Sequence, residues 1–162
     1  MNEKTFYPLL DAIKQLPEIE EKDIKLDLQE SKSGHAVAYG SFSYLDVNFN
    51  FFSFTKDWIV ITETSMIFTF ENIDVSNELD IYKAVDLFND KIAGQKAIVF
   101  GINKESRELD IDFKIESVFS KEYINMLSDD LLFNINTLTK APQKLSEFLE
   151  EAKITHSPVV IE

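Results

Sequence analysis

Residues 42–70 read FSYLDVNFNFFSFTKDWIVITETSMIFTF, and the pattern of this stretch decides the fold. It holds half of the chain's fourteen phenylalanines and its only tryptophan. Leu45-Asp46-Val47-Asn48-Phe49-Asn50-Phe51 alternates apolar and polar without a break, the period of a strand with one buried face. Before it, Ala36, Ala38, Phe42 and Tyr44 hold even positions, so the apolar parity switches at Leu45. Phe51-Phe52 switches it back. Such switches predict a bulge or short bend inside a long second strand that starts near His35. Thr55-Lys56-Asp57 reads as a turn, and Trp58 to Phe70 as a third strand.

Upstream, Ile24, Leu26 and Leu28 alternate with charge and predict a first strand, closed by turn chemistry at Ser31-Lys32-Ser33-Gly34. Phe6, Leu9, Leu10, Ile13 and Leu16 make a helical stripe over 4–16 that ends before Pro17. Downstream, Ile81, Val85, Phe88 and Ile92 predict a second helix, with Ser76 or Asn77 as N-cap and Gly94 as the stop. KAIVFGIN (96–103) and RELDIDFKIE (107–116) read as two strands joined across Lys104-Glu105-Ser106. Whether that hairpin extends the meander or forms its own layer stays open at this level. Ser120 is placed to cap a third helix carrying Ile124, Leu127, Leu131, Ile135 and Leu138. Pro142 suits the first turn of a fourth, with Leu145, Phe148 and Leu149 on one face. The tail ITHSPVVIE pairs as an edge strand or stays loose.

The order α-βββ-α-ββ-α-α predicts an α+β fold with an antiparallel sheet, or sheets, of about five strands and helices on one face. At 162 residues one domain over 1–153 with a tail over 154–162 is expected. A chain of this length buries roughly 70% of its unfolded surface and needs no staple.

Composition excludes more than it suggests. There is no cysteine, which removes disulfides and thiolate metal sites and fits a reducing, cytoplasmic compartment. The N-terminus reads as an amphipathic helix rather than a signal peptide, and no apolar run reaches the roughly 20 residues of a membrane helix. Net charge is −13 with a single arginine, Arg107, so nucleic acid and anionic membranes are not expected partners. An acidic surface of this kind is either plain solvation or a complement to a basic protein partner.

A search for chemistry returns little. The four glycines at 34, 40, 94 and 101 are too scattered for a phosphate loop. His35 and His156 lie far apart, without metal-ligand spacing. Gly40-Ser41 lacks the context of a nucleophile elbow, and Asp129-Asp130 that of a calcium loop. Asp110 and Asp112 share a strand face, as do Glu108 and Glu116, but opposite a clean apolar face they read as its solvated side. No catalytic, cofactor or metal residue is predicted. Phe52, Phe54 and Trp58, at the second parity switch and the turn, are the candidate partner-binding residues, since a sheet that is apolar on both faces needs a cover on the second.

Element order and the residues of 78–152 resemble the type III secretion chaperone-like superfamily, and within it the YbjN-type family of sensory transduction regulators. ELDIYKAVDLFNDKIAG is similar to that family's central helix leading into a hairpin. RELDIDFKIE followed by SKEYINML is similar to its last strand and terminal helices. The resemblance implies a non-enzymatic binding protein, often a homodimer, that holds an extended partner segment. The extra helix and tail over 142–162 depart from the pattern. The function expected is therefore a protein-binding module, chaperone-like or a regulatory adaptor. The alternatives are an immunity or inhibitor protein against a basic toxin, and a carrier of a small apolar ligand.

Overall fold

The computed structural model describes residues 7–30 and 35–160. In chain order these form α1 (Pro8–Ile13), β1 (Ile24–Glu30), β2 (Ala36–Tyr44), β3 (Val47–Lys56), β4 (Ile59–Phe70), α2 (Glu78–Lys91), β5 (Lys96–Asn103), β6 (Glu108–Ser120), α3 (Leu127–Leu138) and α4 (Ala141–Glu151). Short 3₁₀ segments precede β1, at Glu21–Asp23, and α3, at Lys121–Met126. The six strands form one sheet in the order β1-β2-β3-β4-β6-β5. The hairpin of β5 and β6 therefore extends the meander. The fold is α+β, with six strands where the alternation suggested about five.

The extra strand comes from a hairpin. Leu45 and Asp46 both adopt positive φ (+49° and +60°), and they form a two-residue turn between β2 and β3, with Tyr44 opposite Val47. Two central residues with positive φ define a type I′ turn, which matches the strand twist but favours Asn-Gly. Neither Gly nor Asn marks this one, so the apolar–polar alternation runs straight through it. The first parity switch is thus this turn rather than a bulge, and Leu45 is 65% exposed rather than part of the buried face. The second switch is no bulge either. Residues 50–55 pair in regular register on both sides, with Phe49, Phe51, Ser53 and Thr55 buried and Phe52 and Phe54 on the other face. Thr55 and Lys56 belong to β3, and the turn that follows is Asp57-Trp58.

The described residues fall into two compact units, Met1–Ser65 with Glu116–Ile135 and Met66–Ile115 with Asn136–Glu162. In the first, the buried strand face carries Ala36, Ala38 and Phe42 of β2, the odd residues of β3, and Val60, Thr62 and Thr64 of β4. Phe42 stacks on Phe49 with ring centroids 5.4 Å apart. Pro8 opens α1, whose Leu9, Leu10 and Ile13 are buried. Phe6 of the predicted stripe and the turn at 31–34 lie outside the described residues. Ser120 caps the 3₁₀ stretch, its Oγ accepting from Glu122 N, and α3 itself begins only at Leu127. Leu127, Leu131 and Ile135 face inward. Asp130 Oδ2 ties the helix to β6 by accepting from Ser117 Oγ and Asn134 Nδ2, both at 3.0 Å. Gly40 allows β1 to close on β2: a Cβ there would sit 2.0 Å from the Lys25 carbonyl oxygen.

In the second unit, Leu109, Ile111, Phe113 and Ile115 form the buried face of β6. Phe88 of α2 meets Phe113 and Phe148 edge-on, each at 5.9 Å. Asn89 exchanges two hydrogen bonds with the Ala97 backbone, which satisfies part of edge strand β5. A bulge in β5 leaves Phe100 as the extra, exposed residue. Lys104 reaches Glu78 at 2.6 Å, and that carboxylate's hydrogen bond and charge hold the lysine above its ordinary range. Chain reversal after α4 is a Schellman motif. Lys153 sits at φ +61°, Ile154 N donates to Leu149 O, and Lys153 N to Glu150 O. The tail then lies along 71–74 without being a regular strand: Asp74 N donates to Thr155 O and Ser157 N to Glu71 O, each at 2.8 Å.

Candidate functional site

Three strands of the first unit present an apolar face that no described helix covers. Register builds it row by row. Val37, Phe54 and Ile61 lie side by side across β2, β3 and β4. Asp27, Tyr39, Phe52 and Glu63 form the next row, reaching into β1. The pairing of β6 follows from two hydrogen bonds. Lys121 N donates to Trp58 O, and Thr69 Oγ1 donates to Asp110 Oδ1. Both place β6 antiparallel to β4, with Val118 beside Ile61 and Glu116 beside Glu63. The first row then runs Val37–Phe54–Ile61–Val118, apolar over four strands, and the second carries acids at both ends.

Exposure decides that this face is open. Phe52 is 39% exposed, Ile61 37% and Val118 69%, whereas Phe51, one step along β3, is buried. Tyr39 keeps its ring on the face and points its hydroxyl at Asp27 Oδ2, 2.5 Å away. His35, ahead of β2, packs edge-on against Phe54 with centroids 5.3 Å apart. Its chemistry here is that of a ring closing one margin.

Of the three residues singled out by sequence, Phe52 and Phe54 stand together on this face. Trp58 is 67% exposed in the β3–β4 turn, just beyond Lys56, where its backbone carbonyl holds Lys121. Val37, Tyr39, Ile61 and Val118 completed the face unannounced. The signal for Ile61 was present: Ile59, Ile61 and Glu63 alternate against Val60, Thr62 and Thr64, two sets that sequence periodicity alone does not assign to faces.

Little else invites chemistry. Among the described residues no three His, Asp or Glu side chains converge on a common point for a metal ion. Asp110 and Asp112 are half-buried rather than fully solvated, and Asp110 accepts from Thr69 Oγ1 at 2.6 Å. His156 stands 5.5 Å edge-on from Phe70, with Nδ1 2.6 Å from Ser157 O. In the second unit a cleft of about 310 Å³ lies between Phe68–Glu71 and Ser157–Val160, its lining divided about evenly between polar and apolar surface. No helix of the described residues is long and apolar enough to cross a membrane. Comparisons with protein-family models, with curated proteins and with solved structures found no match.

Proposed function

We propose that this protein is a non-enzymatic protein-binding module, chaperone-like or a regulatory adaptor, that engages its partner through the open sheet face. The observation that carries this reading is the pair of neighbouring rows Val37–Phe54–Ile61 and Tyr39–Phe52, an apolar surface built on internal strands and left uncovered among the described residues. A sheet normally buries each apolar face under another layer. Contiguous apolar surface that the chain itself leaves open is the usual mark of an interaction site. The residues at its margins are Asp27, Glu63 and His35, none arranged as nucleophile and base. The resemblance to secretion chaperones and YbjN-type regulators points the same way.

The test is site-specific photo-crosslinking in the source cell, with the crosslinking group at position 52 or 61 and, as control, at position 122 on the 3₁₀ turn. Crosslinks to a discrete polypeptide from 52 and 61, absent from 122, are the expected result. Crosslinks to a small apolar molecule alone would replace this reading with that of a carrier. A second reading, inhibition of a basic toxin, is favoured by the −13 charge. It would be recognised by a partner whose own enzymatic activity is lost on binding.

A further inference from the structure

β1 is an outer strand of the sheet, and no strand among the described residues lies along its far edge. We propose that two copies of the chain join antiparallel along β1, with Leu26 facing the partner's Leu26 across a twofold axis, Ile24 facing the partner's Leu28 and Lys25 facing the partner's Asp27.

Backbone parity decides what that edge offers. A two-residue hairpin closes on a pair that exchanges both backbone hydrogen bonds, here Tyr44 and Val47. Such pairs recur at every second residue, so the even residues of β2 bond to β3. The odd ones, Val37, Tyr39 and Ser41, turn toward β1, where their register partners are Gln29, Asp27 and Lys25. The Lys25 carbonyl agrees: its oxygen stands 2.0 Å from where a Cβ on Gly40 would be, so it points at β2. Ile24, Leu26 and Leu28 therefore turn their backbone groups outward. The Ile24 N–H is already given to Glu21 O, which leaves the Ile24 carbonyl and both groups of Leu26 and Leu28 for a further strand. The opposite edge of the sheet is blunted. There β5 carries a bulge and ties its Ala97 N–H and C=O to the Asn89 side chain. β1 pairs without a register shift.

Side chains select the occupant and its register. Ile24, Leu26 and Leu28 stand on the buried-face side, opposite Phe42, Gly40 and Ala38, yet Leu26 is 41% exposed and Leu28 43%. A strand with apolar residues at alternate positions would continue that core, and β1 is itself such a strand. A twofold antiparallel pairing that matches outward-turned residues centres on Lys25, Leu26 or Asp27. Centres on Lys25 or Asp27 set like charges opposite each other, with Cα atoms about 4.5 Å apart. The centre on Leu26 sets Lys25 against the partner's Asp27, twice over. Asp27 Oδ2 accepts from the Tyr39 hydroxyl, a neutral donor, which leaves the carboxylate its charge and its second oxygen. The row of Lys25 carries Ser41 and Asn50, neither charged. Within the chain, the acids nearest Lys25 in sequence are Asp23, which accepts from Glu20 N at 3.0 Å, and Asp27, two residues along and roughly 7 Å away. Lys22 and Lys25 balance Asp23 and Asp27, so residues 22–28 are neutral although the chain carries −13. Acids more than about 8 Å distant are largely screened at physiological salt. With the axis normal to the sheet, both open faces lie on one side of the joined strands.

The test uses the full chain. So short a pairing buries less than the roughly 800 Å² per partner of a standard interface, so sedimentation equilibrium up to about 300 µM is expected to show a dimer that dissociates in the micromolar range. Lys25→Asp should weaken it by about tenfold, and so should Asp27→Lys, whereas the two together should restore it to within about threefold. The same charge change outside β1, Lys121→Asp, should leave it within about twofold. The chain has no cysteine, so Leu26→Cys under oxidised glutathione reads the axis directly. Facing Cα atoms about 5.5 Å apart allow a disulfide. A covalent dimer is expected from Leu26→Cys and not from Leu28→Cys, whose two copies stand four residues apart along the pairing. A chain that stays monomeric overturns the proposal. So does a dimer that the double exchange fails to restore, or one that gives the covalent product from Leu28→Cys instead. A dimer lost on Ile61→Thr but kept on Lys25→Asp would place the second copy on the open face, and the β1 pairing falls. Lys25, Leu26, Asp27 and Leu28 are exposed, so an unchanged melting temperature separates lost pairing from lost folding.

Discussion

The two faces of β3 invert the usual rule at the Thr55 end of the strand. Its buried side carries Phe49 and Phe51 and then, toward that end, Ser53 and Thr55, with Thr62 and Val60 opposite them on β4. Its open side carries Asn48 and Asn50 and then Phe52 and Phe54, flanked by Ile61. Over the second half of β3 itself, small hydroxyl side chains lie inside and large rings outside. Aromatic area left in water does nothing for the chain's own core, since burial is what yields the roughly 25 cal/mol per Å² of apolar surface. Folding therefore explains the rings on the inner side, and those on the open side are the ones that the proposed partner binding would use.

The sharpest way to break that comparison is to truncate one ring on each side. Phe49→Ala removes a fully buried ring stacked on Phe42 and should cost about 3–5 kcal/mol by denaturant titration. Phe52→Ala removes a ring that water already reaches and should cost under about 1 kcal/mol, while weakening partner binding. Equal losses from the two changes would mean that both faces belong to the core.

Gly40→Ala probes how the inner face is closed. A methyl group there would meet the Lys25 carbonyl oxygen at 2.0 Å, a backbone atom that yields only if β1 moves. The expected loss is about 1–3 kcal/mol, with amide exchange rising first along β1. An unchanged exchange pattern would show that β1 tolerates the shift.

Much of this architecture was legible in the chain. Helix stripes at Ile81–Phe88 and Leu127–Leu138 and the strong alternation at Leu109–Ile115 name their elements, because one face of each is apolar and the other polar. The β2–β3 hairpin was not legible. Leu45 takes positive φ, which a leucine rarely adopts, and no glycine follows, so the turn is set by the pairing of the two strands more than by local chemistry. The candidate face was legible in part. Phe52 and Phe54 stand out wherever rings repeat at spacing two, but Tyr39, Ile61 and Val118 join them only through cross-strand register, which no single segment encodes.

That hairpin gives the next test. Replacing Leu45 by Asn and Asp46 by Gly supplies residues at ease with positive φ in a two-residue turn. The double change should raise stability by about 1 kcal/mol and leave the face intact, since Leu45 is exposed at the turn. A loss of stability would show that the Leu45 side chain packs where the registers suggest it does not.

The smallest effect is expected in the second unit and serves to separate stability from binding. Lys153 occupies the C′ position of the Schellman motif at φ +61°, where glycine carries no Cβ penalty. Lys153→Gly should therefore stabilise by about 0.5–1 kcal/mol. The bonds it supports, Ile154 N to Leu149 O and Asp74 N to Thr155 O, set the exit of the tail and involve no residue of the open face. Slower amide exchange at Ile154 and Asp74 with unaltered partner affinity is the expected pair of readings. A change in affinity would mean that the tail, and not only the rings of the first unit, takes part in holding the partner.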